Sequence, residues 1–152
     1  MAQDGIDLET SLGYALKEAA SALRAAMEEA LRPFGMTITH YSCLELLAQR
    51  PGLTNSELAR GTFVTRQSMN VLLQSLERDG SVTRPAAAAV GKALPAQLTA
   101  KGRRILSQAS AAVHGVETTM LRGMTDAEQR ETFRALQGMI RALRGAADDP
   151  GT

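Results

Sequence analysis

The chain has little of what stabilises small secreted proteins or anchors a protein in a membrane. It has 152 residues, no tryptophan and a single cysteine, Cys43, and one cysteine cannot form a disulfide within the chain. No apolar run approaches the roughly 18 residues of a membrane span, and the N-terminal segment lacks the basic start and apolar middle of a secretory signal. We therefore expect a cytoplasmic protein with no membrane partner.

The composition favours a helical fold. Aromatic residues account for only 3% of the chain, whereas alanine, leucine, arginine, glutamate and methionine are abundant. The side chains of these abundant residues lose little rotamer freedom in a helix. A length of 152 residues suffices for one domain with a modest core and excludes two full domains. The composition therefore predicts a mainly α protein.

Apolar residues spaced three and four positions apart predict six amphipathic helices. In order along the chain, these cover residues 12–31, 39–50, 54–59, 65–78, 99–120 and 125–144. Capping-box patterns at Thr54 and Thr125 predict the starts of the third and sixth helices, and a turn is expected at Gly61. Between the fourth and fifth helices the spacing is no longer helical, which predicts a hairpin with strands at 82–83 and 94–98.

The net charge of +1 argues at first against a nucleic-acid partner, because domains that bind polyanions are usually basic. However, the charge is unevenly distributed. Residues 1–30 hold two basic and six acidic residues, a balance of −4; residues 31–105 hold ten and four, a balance of +6; residues 106–152 hold five and six, a balance of −1. The basic middle favours nucleic-acid binding, although a solvated basic face remains the alternative.

The basic middle combines a short helix, a turn, a helix with polar first turns and a hairpin, which is the order of a helix-turn-helix followed by a wing. In such a motif the second helix presents its first turns to base edges, where arginine pairs with guanine and asparagine or glutamine with adenine. The polar residues of this helix are Arg66, Gln67, Ser68, Asn70 and Gln74. Spacing alone leaves two interpretations open, a base-reading face or the solvent side of an ordinary amphipathic helix.

Four sequence segments occur in a fixed order: LELL at 44–47, PGLTNSELA at 51–59, LERDG at 76–80 and LTAKG at 98–102. Together with one helix before them and two after, they resemble the multiple-antibiotic-resistance-regulator (MarR) family of bacterial winged-helix transcription factors. The resemblance covers nearly the whole chain, and it favours the base-reading interpretation.

The resemblance implies a fold, a partner and a function. The fold is mainly α, with a winged helix-turn-helix at residues 36–102, a two-stranded β wing, and dimerisation helices at residues 1–35 and 103–152. The partner is double-stranded DNA, bound by a homodimer at a pseudo-palindromic operator with half-sites about 10 bp apart or a multiple of that spacing. The implied function is transcriptional repression, without enzyme activity, metal or cofactor.

The resemblance also assigns DNA contacts. The recognition helix of the family falls on residues 65–77, which implies that Arg66, Gln67, Ser68, Asn70 and Gln74 face the groove, with Thr65 and Ser56 near phosphates. Family members typically carry an Asp-x-Arg or Asp-Arg-Arg motif in the wing, but here residues 86–94 read AAAAVGKAL, with Lys92 as their only basic residue. Arg84, at the base of the wing, is therefore the expected phosphate contact.

An effector is implied as well, because family members often bind lipophilic phenolic or carboxylate compounds where the dimerisation helices meet the winged domain. The residues expected near that cleft are Tyr14, Met36, His40 and Tyr41. Simple core packing is the alternative for each of them, and it is the favoured interpretation for Met36 and Tyr41. Such a ligand releases DNA only if it binds one geometry of the dimer more tightly than the other.

His40 and Cys43 lie three positions apart on one helical face. Nucleophilic catalysis also needs an orienting third group, and a zinc site needs further ligands, so this pair predicts neither an enzyme nor a metal site. Two alternatives to an effector-released repressor stay open. One is a redox sensor based on Cys43, although apolar burial would suppress its thiolate. The other is a helical, dimeric protein-interaction module with reduced DNA binding.

Overall fold

The computed structural model describes residues 5–84 and 95–148, and this part of the chain is mainly helical. Its α-helices are α1 (Leu12–Leu31), α2 (Ile38–Gln49), α3 (Asn55–Thr62), α4 (Arg66–Arg78), α5 (Ala100–Met120) and α6 (Asp126–Asp148). Strands β1 (Val82–Thr83) and β2 (Gln97–Leu98) pair antiparallel, with Val82 opposite Leu98. The predicted mainly α fold with a two-stranded wing is thereby confirmed. No helix within the described ranges is long and apolar enough to cross a membrane.

The chain divides into two compact units, residues 1–116 and residues 117–152. The first unit contains a continuous core in which α2, α3, α4, the hairpin and the start of α5 meet. Its most deeply buried side chains include Leu44, Leu58, Met69 and Leu73, each no more than 1% exposed. Burying a side chain of this size contributes about 1.5–3 kcal/mol to stability, so this core holds the helix-turn-helix together. The second unit consists of the end of α5 and the whole of α6.

The predicted helix starts are confirmed by their capping hydrogen bonds. The Thr54 hydroxyl accepts from the Glu57 amide at 3.2 Å, and the Glu57 carboxylate accepts from the Thr54 amide at 3.4 Å. Thr125 and Glu128 form the same reciprocal pair at the start of α6, at 3.1 Å in each direction. These side chains satisfy backbone amides that have no partner within the helix, which is why short sequence patterns locate the helix starts.

The turn between α3 and α4 differs from the prediction. Gly61 is helical, α3 continues to Thr62, and the left-handed residue is Phe63, with φ 62° and a side chain that is 85% exposed. A Cβ at position 61 would lie 2.7 Å from the Cδ1 atom of Leu46, the end of a side chain that can rotate away. Gly61 therefore lies close to α2 within a helix, rather than at the turn that the sequence predicted.

Two other element boundaries differ from the prediction. Strand β2 covers only Gln97–Leu98, and Pro95, two residues before its start, lacks the amide hydrogen that a ladder needs. Helix α6 continues through Gly145 to Asp148, past its expected end at residue 144. The predicted wing residue Lys92 lies outside the described residues.

The start of α5 is tied to the end of α4 by several hydrogen bonds. The Thr99 hydroxyl donates to the Gly80 carbonyl at 2.5 Å, the Lys101 ammonium donates to the Asp79 carbonyl at 2.6 Å, and the Thr99 amide donates to the Ser81 carbonyl at 3.1 Å. Gly102 lies so close to this segment that a Cβ there would be 2.1 Å from the Ser81 oxygen. The position of α4 is therefore coupled directly to that of α5.

Candidate nucleic-acid interface

Helix α4 presents a polar face on the side opposite its core contacts. Met69, Leu73 and Leu76 are buried, whereas the predicted groove-facing residues Arg66, Gln67, Ser68 and Gln74 are exposed and Asn70 is half-buried. Thr65 caps the helix: its hydroxyl accepts from the Ser68 amide at 3.0 Å and donates to the Ser68 hydroxyl at 2.9 Å. Ser56, in the first turn of α3, is half-buried. The predicted base-reading residues therefore share one accessible surface.

Val71 lies at the centre of this surface, and the sequence reasoning missed it as a candidate contact. Its side chain is 58% exposed, and it lies four residues after Gln67 and three before Gln74. Residues at these separations are neighbours on a helix face, so the helical spacing contains the signal for this position. An exposed valine between two amides is chemically suited to contact the methyl group of thymine.

Arg84, the expected phosphate contact at the base of the wing, is engaged within the protein. Its Nε atom donates to Oε1 of Glu77 in a close ion pair, and its Nη1 atom donates to Oδ1 of Asn70 at 3.2 Å. The Arg84 and Glu77 side chains are 29% and 34% exposed. Glu77 was not among the predicted site residues, because the sequence does not show that an acidic residue at the end of α4 reaches the end of β1.

Two cavities lie near the predicted effector residues. A groove of about 860 Å³ lies against α1, the start of α2 and the α3–α4 turn, and its walls include Leu23, Arg24, Arg32, Met36 and Phe63. A smaller cavity of about 220 Å³ is lined by residues that include Phe34, Met36, His40, Asp79, Lys101 and Ile105. Met36 therefore lines both cavities and His40 lines the smaller one.

The other two predicted effector residues lie elsewhere. Tyr14 is 42% exposed on α1, and Tyr41 is partly buried against the hydrophobic core. Neither tyrosine is among the residues that line the two cavities just described. The family resemblance implied that all four residues lie near one cleft, but it did not determine which side of each helix faces a cavity.

His40 completes the cap of α2. Its Nδ1 atom accepts from the Thr37 amide at 3.3 Å and lies 2.8 Å from the Thr37 hydroxyl. Burial lowers the pKa of His40 below its ordinary value, and the Asp79 carboxylate partly opposes this effect. Because Nδ1 accepts an amide hydrogen, the ring proton of neutral His40 lies on Nε2, which leaves this atom as a hydrogen-bond donor. Within the described ranges, no group of three or more residues of metal-ligating type could hold a metal ion.

Cys43 has the surroundings of a structural thiol. Its side chain is fully buried, with Sγ 3.9 Å from the Met69 sulfur, and burial raises its pKa to about 12. At pH 7 only about one thiol in 10⁵ is then ionised, and the thiolate is the species that reacts with peroxide. The structure therefore disfavours the alternative of a redox sensor based on this cysteine.

Treatment with hydrogen peroxide at neutral pH is expected to leave the DNA affinity of this protein unchanged. The buried Cys43 thiol lacks both the ionisation and the access that oxidation requires. The measurement is a DNA-binding titration before and after peroxide treatment, with mass spectrometry of the peptide that contains Cys43. The Cys43→Ala variant is the control, because it cannot be oxidised at this position. A loss of affinity in the wild type but not in the variant would show that the thiol is a sensor.

Comparison with known proteins places these features in context. The sequence model of a protein family described as the MarR family matches residues 34–93 of this chain. The HTH-type transcriptional repressor Rv2887 of Mycobacterium tuberculosis (strain H37Rv) is 41% identical over 133 residues, which are 88% of this chain and 96% of that protein. A crystal structure of Rv2887 with salicylic acid superposes on this chain with a TM-score of 0.70 at 42% identity, and the match covers 86% of this chain and 96% of the Rv2887 chain. A crystal structure of Rv2887 with DNA also has a TM-score of 0.70, at 38% identity, and the match covers 86% of this chain and 98% of the Rv2887 chain.

Proposed function

This chain belongs to the MarR family of helix-turn-helix regulators, and on that premise we propose that it is a sequence-specific transcriptional repressor that binds DNA as a homodimer. Regulators of this family are transcription factors rather than enzymes. The observation that carries the proposal is the exposed polar face of α4, supported on its other side by a continuous core. The relative Rv2887, a repressor with a structure in complex with DNA, supports the same function.

The proposed reading surface combines two kinds of contact. Arg66, Gln67, Asn70 and Gln74 supply hydrogen bonds to base edges in the major groove, and Val71 supplies an apolar contact to a thymine methyl group. Thr65, Ser56 and Ser68 lie at helix starts, where backbone amides and the positive end of the helix dipole favour phosphate. Loss of a base contact should change the sequence preference of binding, whereas loss of a phosphate contact should change its salt dependence.

The apolar faces of the terminal helices support a homodimer. On α6, the exposed side chains include Phe133 at 62%, Ile140 at 46% and Leu143 at 73%, and with Leu136 they recur at steps of three and four residues. This spacing forms one apolar seam along a helix, which is stable in water only when another surface covers it. Helix α1 likewise exposes Leu12 and Leu16. We propose residues 1–35 and 103–152 as the dimerisation segments of a cytoplasmic homodimer.

We propose the cavity of about 220 Å³ as the effector site, with an aromatic carboxylate as the ligand class. Phe34, Met36 and Ile105 offer apolar walls, while Lys101 offers a cation and His40 a hydrogen-bond donor. The cavity also touches the end of α4 at Leu76 and Asp79, and Lys101 binds the Asp79 carbonyl. A carboxylate that recruits Lys101 would weaken this link between α5 and α4. The complex of Rv2887 with salicylic acid supports the ligand class.

A mobility shift with the promoter region flanking its own gene tests the function. The wild type is expected to retard this duplex in the presence of nonspecific competitor DNA and to release it when millimolar salicylate is added. Gln74→Ala is expected to lose about tenfold or more in affinity, because an amide that pairs with adenine is worth about 1–3 kcal/mol of base discrimination. The exposed Gln49 at the end of α2 gives the matched control, Gln49→Ala, which should bind as the wild type does because this residue lies outside the proposed DNA contacts and dimerisation segments.

Three results would each contradict a part of the proposal. The absence of any retarded species at low salt would exclude DNA binding, and salt-insensitive association with a protein instead would favour the interaction-module alternative. Equal binding of the promoter duplex and a scrambled duplex of the same composition would exclude sequence-specific reading. Retention of the complex in the presence of salicylate would exclude this compound as an effector.

A further inference from the structure

The network of Glu77, Arg84 and Asn70 connects the recognition helix to the base of the wing. We propose that Glu77 is a specificity-determining positioning residue: it holds Arg84 away from phosphates and, through Arg84, sets the orientation of the Asn70 amide that faces DNA. This inference rests on the proposed function, because it assigns a role within the DNA-reading surface. It differs from the sequence-based expectation, in which Arg84 itself binds phosphate.

The geometry favours an internal role for Arg84. Glu77 and Asn70 are seven residues apart, two turns of α4, so both lie on the side of the helix that meets Arg84. The guanidinium uses Nε for Glu77 and Nη1 for Asn70, a forked arrangement that arginine forms because its donors are rigid and coplanar. About 70% of the Arg84 side chain is removed from solvent, as its exposure of 29% implies. Charge-assisted hydrogen bonds at a partly desolvated site are stronger than those on an open surface.

The network determines which atoms Asn70 presents. Arginine has only donors, so the Asn70 atom that faces Arg84 must be the acceptor Oδ1, as observed at 3.2 Å. The Nδ2 group of the same amide then points away from Arg84 with both hydrogens available. A base opposite Asn70 must therefore offer an acceptor in the major groove, as the purine N7, guanine O6 and thymine O4 atoms do. Cytosine, which presents a donor there, is disfavoured.

Two roles of Glu77 predict different effects on DNA binding when its charge is removed. If Glu77 only added a negative charge near DNA, Glu77→Gln would strengthen binding to every duplex. If Glu77 restrains Arg84, the same change releases a cation that can bind phosphate and also frees the Asn70 amide to rotate. Binding to unrelated DNA then rises while binding to the operator falls, so the ratio of operator to nonspecific affinity separates the two roles.

The experiment measures fluorescence anisotropy of the full chain with an operator duplex and a scrambled duplex across a range of salt concentrations. For Glu77→Gln we expect the ratio of operator to scrambled affinity to fall about tenfold. The slope of log K against log salt on the scrambled duplex should become steeper by about one phosphate contact per protomer, or about two for the dimer. The matched control is Glu131→Gln, which removes the same charge from an exposed position of α6. By helical spacing Glu131 lies on the side of α6 opposite the apolar seam that includes Phe133 and Ile140, so this variant should leave the ratio and the slope unchanged.

Arg84→Lys is a second variant, which keeps the positive charge but lacks the rigid, coplanar donors with which the guanidinium binds Glu77 and Asn70 together. We expect it to lower the affinity ratio as Glu77→Gln does, with thermal unfolding confirming that both variants remain folded. An unchanged ratio for Glu77→Gln would overturn the positioning role, as would wild-type behaviour of Arg84→Lys. If Arg84→Ala flattened the salt slope of the wild type by about one contact per protomer, Arg84 would be a phosphate ligand after all. Failure of the wild type to prefer the operator would overturn the proposed function itself, and the network proposal with it.

Discussion

Gly102→Ala is expected to destabilise the winged-helix unit more than any other single methyl addition in the described part of the chain. A Cβ at this position would lie 2.1 Å from the Ser81 carbonyl oxygen and 3.0 Å from its carbonyl carbon. The opposing atoms belong to the backbone, so no side-chain rotation relieves the overlap. The Ser81 carbonyl also accepts the Thr99 amide, and a shift of either segment would break this hydrogen bond.

The expected loss in the free energy of unfolding is on the order of 4 kcal/mol, a large fraction of the roughly 5–15 kcal/mol typical of a whole domain. Denaturant unfolding followed by circular dichroism measures it. Gly115→Ala in the same helix is the matched control, because no atom lies within 4 Å of its added Cβ. That variant should be more stable than the wild type by up to about 1 kcal/mol, the helix-propensity difference between glycine and alanine. Equal midpoints for Gly102→Ala and the wild type would contradict the close packing of α5 on Ser81.

Phe133→Asp is expected to convert the homodimer into monomers and to abolish operator binding at physiological salt. Phe133 is 62% exposed in the single chain, so the substitution does not create a cavity in the protomer. In a symmetric dimer it places a carboxylate in the apolar seam of both copies, and an unpaired buried charge is strongly unfavourable. Because two linked reading heads bind far more tightly than one, operator affinity should fall by about 10² or more.

Sedimentation velocity reports the oligomeric state, and anisotropy reports the affinity. The control is Phe63→Asp, the same substitution at a position that is 85% exposed in the α3–α4 turn, and this variant should remain dimeric. A dimer of Phe133→Asp with wild-type stability would show that the α6 seam is not the interface. A monomer that still bound the operator as the wild type does would show that two reading heads are not required.

The sequence by itself determined the elements and most of the reading surface. Helix starts depend on hydrogen bonds between residues three apart, as for Thr54 with Glu57 and Thr65 with Ser68, so they are visible in short patterns. The buried and exposed faces of α4 follow from helical periodicity, which placed Gln67 and Gln74 on its exposed side. The uneven charge distribution likewise located the candidate interface in the middle of the chain, despite a net charge of only +1.

The tertiary structure decided which distant residues meet. Arg84 and Glu77 form an ion pair because β1 turns back along α4, and no local pattern shows that a predicted phosphate ligand already has a partner. Gly102 looks like an ordinary helix glycine in the sequence, but the backbone of Ser81 approaches it too closely for a Cβ. For the same reason, the predicted effector residues do not share one site. Met36 and His40 face a cavity, whereas Tyr41 faces the core. Periodicity reports which side of an element is buried, and only the packed chain determines what covers it.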